Sequence, residues 1–527
     1  MALVGRRSPL PDVQLVHGAF EAHAHRTPNA VALTSGADSL TYAELNARAN
    51  RFAHHLGSLG VGPGSVVGVC LDRVAELMVS ILGILKAGAA YLPLDPTYPR
   101  ERLRLMLTQL DQVKFTIVAD ATAALIDQAP GETLLVDTLT DRLDPLPDTN
   151  PDVAMRNDDL CYVVFTSGST GTPKATAVRH SGWYNLLEWL RLEYRLGAHS
   201  SGLSVSSFGF DISQRGLMAP LFVGATLHLL PSRVFDPRMA YRLLGRHGVR
   251  TLHCAPSTLY VLIDQERAQG ADFMTRVDHV FIGGEPLNVA RVQEWATKAG
   301  NTCNLLHQYG VAECTDVASS HELRDYSRYR SGPVPVGPPV YNTEIRILDD
   351  DLREVPDGEI GEICISGASV SAGYLNAAPD DTLRFTEIDI DGAPVPIYRT
   401  GDRGHLTPAG ELVVAGRLDA QIKIRGMRID LGDVEHAVRG LVSVRDVVVL
   451  ALPDADGERS LVAFVVPAGN LFDQGTVRSE LAAVLPRNMV PQEFVAVPAF
   501  PLNPNGKIDR RALSANFRGN RTTTVRK

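Results

Sequence analysis

Tyr162-Val163-Val164-Phe165 is a run of β-branched and aromatic residues that passes without a break into Thr166-Ser167-Gly168-Ser169-Thr170-Gly171-Thr172-Pro173-Lys174. A short apolar run that meets glycine and hydroxyl residues reads as a buried strand ending in a loop. Gly168 and Gly171 permit backbone conformations closed to other residues, so successive N–H groups can converge on one anion. Thr166, Ser167, Ser169, Thr170 and Thr172 add hydroxyl donors, and Lys174 adds a compact charge suited to phosphate oxygens. The segment therefore reads as a phosphate-holding loop. Its spacing departs from Gly-x-x-x-x-Gly-Lys-Ser/Thr, which disfavours an ordinary P-loop nucleotide hydrolase. A plain solvated Ser/Thr/Gly connection is the alternative that composition alone leaves open.

The surrounding chain sets the fold class. Thr41 and Glu44 stand in capping-box spacing, and apolar residues then recur at helical intervals through Leu59. Ser65 to Leu71 is a short apolar strand, followed by a helix with Ala75, Met78, Ile81 and Leu85 on its apolar positions. Strand then helix is the unit of a parallel sheet. The stretch from Leu85 to Asp95 ends that helix in small residues and turns into a proline-bounded segment. Residues 128–157, rich in Pro and Asp, read as a surface connection. Further strands are expected at Thr251 to Cys254 and Val280 to Gly284. The expectation is an α/β fold: a large N-terminal domain with more than one sheet. A small C-terminal α+β domain follows, with strands at Val447 to Leu450 and Leu461 to Val466 and a helix near Val477 to Leu485.

A chain of 527 residues is too long for one compact core. Its net charge of −9 argues against nucleic acid or an anionic membrane as main partner. The Arg6-Arg7 pair is followed by Ser8-Pro9-Leu10-Pro11, not by the apolar run an export signal needs, and no run is long enough to span a membrane. Six cysteines without a Cys-x-x-Cys pair fit a reducing cytoplasm.

Further motifs follow in a fixed order. They are Phe210-Asp211-Ile212-Ser213, Tyr309-Gly310-Val311-Ala312-Glu313, Tyr398-Arg399-Thr400-Gly401-Asp402 and Gly416-Arg417-Leu418-Asp419, then Gln421-Ile422-Lys423-Ile424-Arg425-Gly426-Met427-Arg428. Leu485-Pro486 to Met489-Val490-Pro491 and Asn505-Gly506-Lys507-Ile508-Asp509-Arg510 complete the set. From about Leu40 to Arg510 the chain resembles the adenylate-forming superfamily, and within it an adenylation domain of nonribosomal peptide synthesis.

The resemblance implies an enzyme that uses ATP and Mg²⁺ to turn an amino acid into aminoacyl-AMP and then transfers it to the phosphopantetheine thiol of a carrier protein. It implies catalytic roles for Lys507, Lys174, Thr166 and Glu313, with Glu313 holding Mg²⁺. The nucleotide would be held by Thr166, Ser167, Gly168, Ser169, Thr170, Gly171, Gly284, Glu285, Tyr309, Gly310, Asp402, Arg417 and Lys507. Tyr309 would stack on adenine and Asp402 would accept the ribose hydroxyls. The resemblance divides the chain into residues 1–416, a hinge at 417–420 centred on Asp419, a small domain at 421–515 and a basic tail at 516–527, expected to be disordered. Rotation about the hinge would withdraw Lys507 and bring up the Gln421 to Gly426 face for thioester formation. Some such domains need an MbtH-like helper protein. The absence of a carrier domain after Arg511 leaves two expectations, a free-standing enzyme or a piece of a larger synthetase.

Asp211 carries the substrate signal. A carboxylate buried after an aromatic needs a cation or a donor as partner, and in similar domains that partner is the α-ammonium of an amino acid; a helix-capping Asp within Asp-x-Ser is the alternative. The matched pocket positions are Asp211, Ile212, Arg215, His253, Phe281, Gly283, Gln308, Asp316 and Val317. Arg215 must find an anion. With His253, Phe281 and Gly283 resembling pockets for glutamate-like side chains, the expectation is an acidic or otherwise acceptor-bearing amino acid of roughly glutamate length; the rival is an Arg215 paired to Asp316, which leaves a polar but uncharged substrate. Ala175, His307, Val311 and Ala312 depart from the residues usual in such motifs, and Ala312 lacks a hydroxyl for the α-phosphate. The competing readings are an acyl- or aryl-CoA ligase, which would not need Asp211, and a non-catalytic nucleotide-binding protein.

Overall fold

A computed structural model of the chain describes residues 2–517 apart from 128, 167–172, 330–332, 377–381, 391, 419–420, 425, 454–457, 470–471, 502–507, 511 and 516. Among these residues the large domain carries sheets of seven, eight and six strands, and the small domain a three-stranded sheet and a separate hairpin. The expected α/β architecture, large multi-sheet domain followed by small α+β domain, is the one observed.

The strands Val66–Cys70 and Ala90–Pro93 are buried at every position and pair in parallel, as continuous apolar runs covered on both faces must. The helix Ala75–Lys86 between them buries every residue except Glu76. Against it packs the helix Tyr42–Ser58, which starts where the sequence places it. The Thr41 hydroxyl accepts the Glu44 N–H at 3.2 Å, and the Glu44 carboxylate accepts the Thr41 N–H at 2.8 Å.

The strand Leu160–Thr166 lies in the same sheet and pairs antiparallel with Lys174–Arg179, Thr166 opposite Lys174. Residues 167–172 thus join two antiparallel strands, whereas a Walker loop joins a strand to a helix. Within residues 128–157, read as plain connection, Glu132–Leu135 forms an edge strand on Val113–Val118, and Thr140–Leu143 is a short helix. Pro130, Pro145, Pro147 and Pro151 mask the brief apolar run Leu134-Leu135-Val136 that the sheet edge uses.

In the eight-stranded sheet Thr251–Cys254, His279–Gly283 and Asn304–Tyr309 are parallel neighbours, so their carboxyl ends open on one edge. Ligands of open α/β sheets bind beyond such ends. The six-stranded sheet brings Asp402, within Ala393–Leu406, opposite Arg417 at the end of Leu412–Arg417.

The small domain packs Leu431–Arg439 and Gln474–Ala482 on strands Val444–Pro453, Arg459–Pro467 and Glu493–Ala496, around a core that includes Val434, Val449, Leu461 and Leu481. All six cysteines are free thiols. Among the described residues no helix is long and apolar enough to cross a membrane.

Candidate active site

The strand Asn304–Tyr309 ends at Gly310, and the chain then turns tightly through Ala312–Cys314. A Cβ on Gly310 would lie 2.0 Å from the Asp316 carbonyl oxygen, so this crossing admits only glycine. Thr315 and Asp316 take left-handed φ values of 53° and 70°. Such strain, about 1–3 kcal/mol per residue, persists where the surroundings over-determine it, and here it aims Glu313 and Asp316 to two neighbouring sites.

Glu313 is fully buried. Its Oε1 accepts the Tyr374 hydroxyl at 2.7 Å, and its Oε1 and Oε2 accept Arg428 Nη1 at 3.2 and 3.0 Å. The Thr166 hydroxyl stands 3.5 Å from Oε1. Burial alone would raise this carboxyl; the Arg428 charge and the Tyr374 hydroxyl outweigh burial and hold it below its ordinary value. Lys174, also buried, places its ammonium 5.7 Å from the centre of the Tyr374 ring.

Asp402 forms a second anchored carboxylate. It accepts the Tyr309 hydroxyl at 2.8 Å and pairs with Arg417. Arg417 donates onward to Gln421 Oε1 at 2.8 Å, and the same oxygen accepts Arg428 Nε at 2.7 Å. A continuous chain Asp402–Arg417–Gln421–Arg428–Glu313 therefore crosses from one domain to the other.

The crossing element is the hairpin Gln421–Ile424 with Met427–Asp430. Its residues alternate: Ile422, Ile424, Met427 and Ile429 join the small-domain core, while Gln421, Lys423, Arg428 and Asp430 share the other face. Lys423 donates to the Gly310 carbonyl at 3.3 Å and lies 5.7 Å from the centre of the Tyr309 ring. Burial pushes the Lys423 pKa below its ordinary value. At the hairpin turn Gly426 donates to Glu285 Oε1 at 2.5 Å. A Cβ on Gly284 would stand 3.3 Å from the Gly426 Cα, and both glycines have positive φ.

Beside this cluster lies a cavity of about 90 Å³ lined by Asp211, Ile212, Arg215, Gly283, Gln308, Asp316 and Val317 among others. Asp211 is the first residue of the helix Asp211–Phe222, and among the described residues its side chain accepts only the Ile212 N–H. Among the described residues none forms an ion pair with it. Burial and the neighbouring Asp316 push its carboxyl up to about 7. Arg215 donates from Nε to Asp316 at 2.6 Å and from Nη1 to the Gln308 side-chain oxygen Oε1, and the buried Gln308 Nε2 has no partner among the described residues.

The AMP-binding enzyme family model matches residues 20–375, and the model of the AMP-binding enzyme C-terminal domain matches 433–507. The chain belongs to the AMP-binding enzyme family. It is thereby an adenylating ligase. It is 36% identical over 511 residues to a dimodular nonribosomal peptide synthase of Bacillus subtilis, covering 94% of this chain and 21% of that protein. It is 38% identical over 523 residues to a probable non-canonical nonribosomal peptide synthetase of Salinispora arenicola, covering 97% of this chain and 6% of that one. The chain thus spans about a fifth or less of these relatives. A solved structure of an NRPS protein containing adenylation and PCP domains aligns at a TM-score of 0.82 and 26% identity, covering 95% of this chain and 84% of that chain.

For this AMP-binding enzyme the structure brings Thr166, Lys174, Tyr309, Gly310, Glu313, Asp402 and Arg417 to one cluster, with Gly284 and Glu285 at its rim under Gly426. Of the nine pocket positions seven line the cavity. His253 and Phe281 instead stack on each other at 4.6 Å, both buried, and among the described residues neither ring nitrogen of His253 has a partner. Ser167, Gly168, Ser169, Thr170, Gly171, Asp419 and Lys507 lie outside the described residues. Sequence reasoning assigned no role to Arg428 or Tyr374. The alternation in 421–430 marks a polar hairpin face, but nothing local names Glu313, 115 residues away, as its partner.

Proposed function

We propose that the chain activates an α-amino acid with ATP, releasing pyrophosphate, and then delivers the aminoacyl group to the phosphopantetheine thiol of a carrier protein. The observation that carries this reading is Asp211: a half-buried carboxylate on a cavity wall, accepting one backbone N–H and lacking an ion-pair partner among the described residues. An α-ammonium supplies the missing cation, and a plain carboxylic acid would leave it missing.

In the first step a carboxylate oxygen attacks the α-phosphorus and the bond to the pyrophosphate oxygen breaks. The two anions repel, so cations must offset their charge. We assign this to Lys174, to Lys507 and to the donors of the 166–171 loop, with Tyr309 on adenine and Asp402 on the ribose hydroxyls. Glu313 suits Mg²⁺: its carboxylate is held ionised and already faces a cation, Arg428. No described cluster of three or more ligating side chains is present, which accords with a Mg²⁺ site completed by substrate phosphates. When bound, Mg²⁺ neutralises phosphate charge. In the second step the thiolate sulfur attacks the acyl carbon and AMP leaves, its thiol proton passing to solvent. We assign the hinge to Asp419; the docked 421–430 hairpin supports the arrangement expected for thioester formation.

The substrate side chain is read as polar and uncharged. Arg215 is engaged by Asp316 and Gln308, so it does not stand ready for an acidic side chain. With Arg215 held in this way, Gln308 Nε2, a donor without a partner among the described residues, calls for an acceptor on the substrate. A cytoplasmic setting fits the six free thiols, and an MbtH-like helper belongs in the assay.

The test is pyrophosphate–ATP exchange driven by added amino acids. Asp211→Asn should lower amino-acid-dependent exchange roughly 100-fold or more, as loss of one partner of a buried charge pair does. Undiminished exchange in this variant would remove the reading.

A further inference from the structure

We propose that Arg215, with Asp316 and Gln308, forms the floor of the substrate pocket, so that the amino acid activated carries a short polar side chain, of serine to asparagine length. The inference rests on the reading of Asp211 as partner of the α-ammonium, and it fixes the length that this reading leaves open.

Strand register and helix periodicity carry it. In parallel pairs Gly283 stands opposite Gln308, and Phe281 stands opposite His253. Gly283 and Phe281 face the same side of their strand, about 7 Å apart along it. The first level, Gly283 with Gln308, lines the cavity; the second, Phe281 stacked on His253, lies outside its lining. On the helix Asp211–Phe222 the residues Asp211 and Arg215 share one face, about 6 Å apart along the axis. A Cβ on the next residue, Gly216, would meet the His253 Cβ at 3.7 Å. Arg215 therefore lies between the two levels.

The Arg215 side chain, 1% exposed, is held by Asp316 at 2.6 Å and by the Gln308 side-chain oxygen. Burial, and after it the Arg215 charge, pushes the His253 imidazole well below its ordinary pKa, as a guanidinium beside that ring would. Asp316 is fixed in turn by its left-handed backbone, φ 70°, and by the close crossing at Gly310.

A side chain entering from Asp211 thus meets Arg215 within about one helical turn. A serine or threonine hydroxyl or an asparagine amide ends in front of it and offers its oxygen to Gln308 Nε2. A glutamine-length side chain would have to part a buried ion pair and leave its charges unpaired. The glutamate length expected from His253, Phe281 and Gly283 would need the two rings as pocket wall, and Arg215 closes them off.

Pyrophosphate–ATP exchange by the full chain, with an MbtH-like helper added in parallel, tests this on side chains one methylene apart: serine, homoserine and 5-hydroxynorvaline, and asparagine and glutamine. From asparagine to glutamine, and from serine to 5-hydroxynorvaline, kcat/KM should fall roughly tenfold or more. In the double variant Arg215→Ala, Asp316→Ala, which removes both charges together, the preference for asparagine over glutamine should shrink roughly tenfold, because the longer amide then reaches the His253 ring. Thermal unfolding checks that this variant folds; if it does not, the parent series decides alone. Glutamine or 5-hydroxynorvaline used as well as its shorter homologue by the parent, or a folded double variant that keeps the parent ratio, overturns the inference alone. Exchange with none of these amino acids, or exchange driven by carboxylic acids lacking the α-amino group, removes the reading of the substrate and the inference with it.

Discussion

Asp211 stands beside Asp316 in one pocket, where Arg215 is taken up by Asp316, and that proximity sets a pH dependence. The Asp211 carboxyl, pushed up to about 7 by burial and by Asp316, binds an ammonium only when ionised. The ionised fraction grows with pH, so the KM for the amino acid should fall as pH rises from 6 to 8. Below 7 it should climb about tenfold per unit. A KM independent of pH across this range, from initial rates of exchange, would show that Asp211 does not meet the ammonium. Asp211 was legible because a carboxylate directly after Gly209-Phe210 demands a partner wherever it is buried. The engagement of Arg215 was legible only as a choice between two anions. The decision depends on the left-handed turn at Thr315-Asp316, which no residue there announces.

At the scale of elements, patterns that satisfy their own backbone were readable. The capping box at Thr41 and Glu44 fixes the start of the helix Tyr42–Ser58 without help from the rest of the molecule. Thr41→Ala removes one cap and should lower unfolding stability by about 1 kcal/mol, read from the urea midpoint, with exchange activity retained. The strand Leu160–Thr166 was equally plain, since seven residues of mostly apolar, β-branched character have few other uses. The edge strand Glu132–Leu135 was not, because its pairing partner supplies the order that its own prolines and charges deny. The 421–430 hairpin lies between these cases. Its alternation specifies two faces, one apolar and one charged, yet the charged face gains meaning only from Glu313 and Gly310 across the domain boundary.

At the scale of the whole molecule, two domains meet over one carboxylate cluster, and the small domain presents the hairpin to it. Motif order made the adenylate-forming architecture legible along nearly the whole chain. Domain placement has no such trace: it is decided by contacts such as Gly284 with Gly426 and Arg428 with Glu313, between residues more than a hundred positions apart. The central claim is that this molecule activates an amino acid of uncharged polar side chain. Pyrophosphate–ATP exchange over a panel of polar, acidic and apolar amino acids and of carboxylic acids lacking the α-amino group, with an MbtH-like helper added in parallel, tests it most directly. The account predicts exchange with uncharged, acceptor-bearing amino acids and none with the desamino acids. Exchange driven by a desamino carboxylic acid, or by an acidic amino acid in preference to its amide, would contradict it.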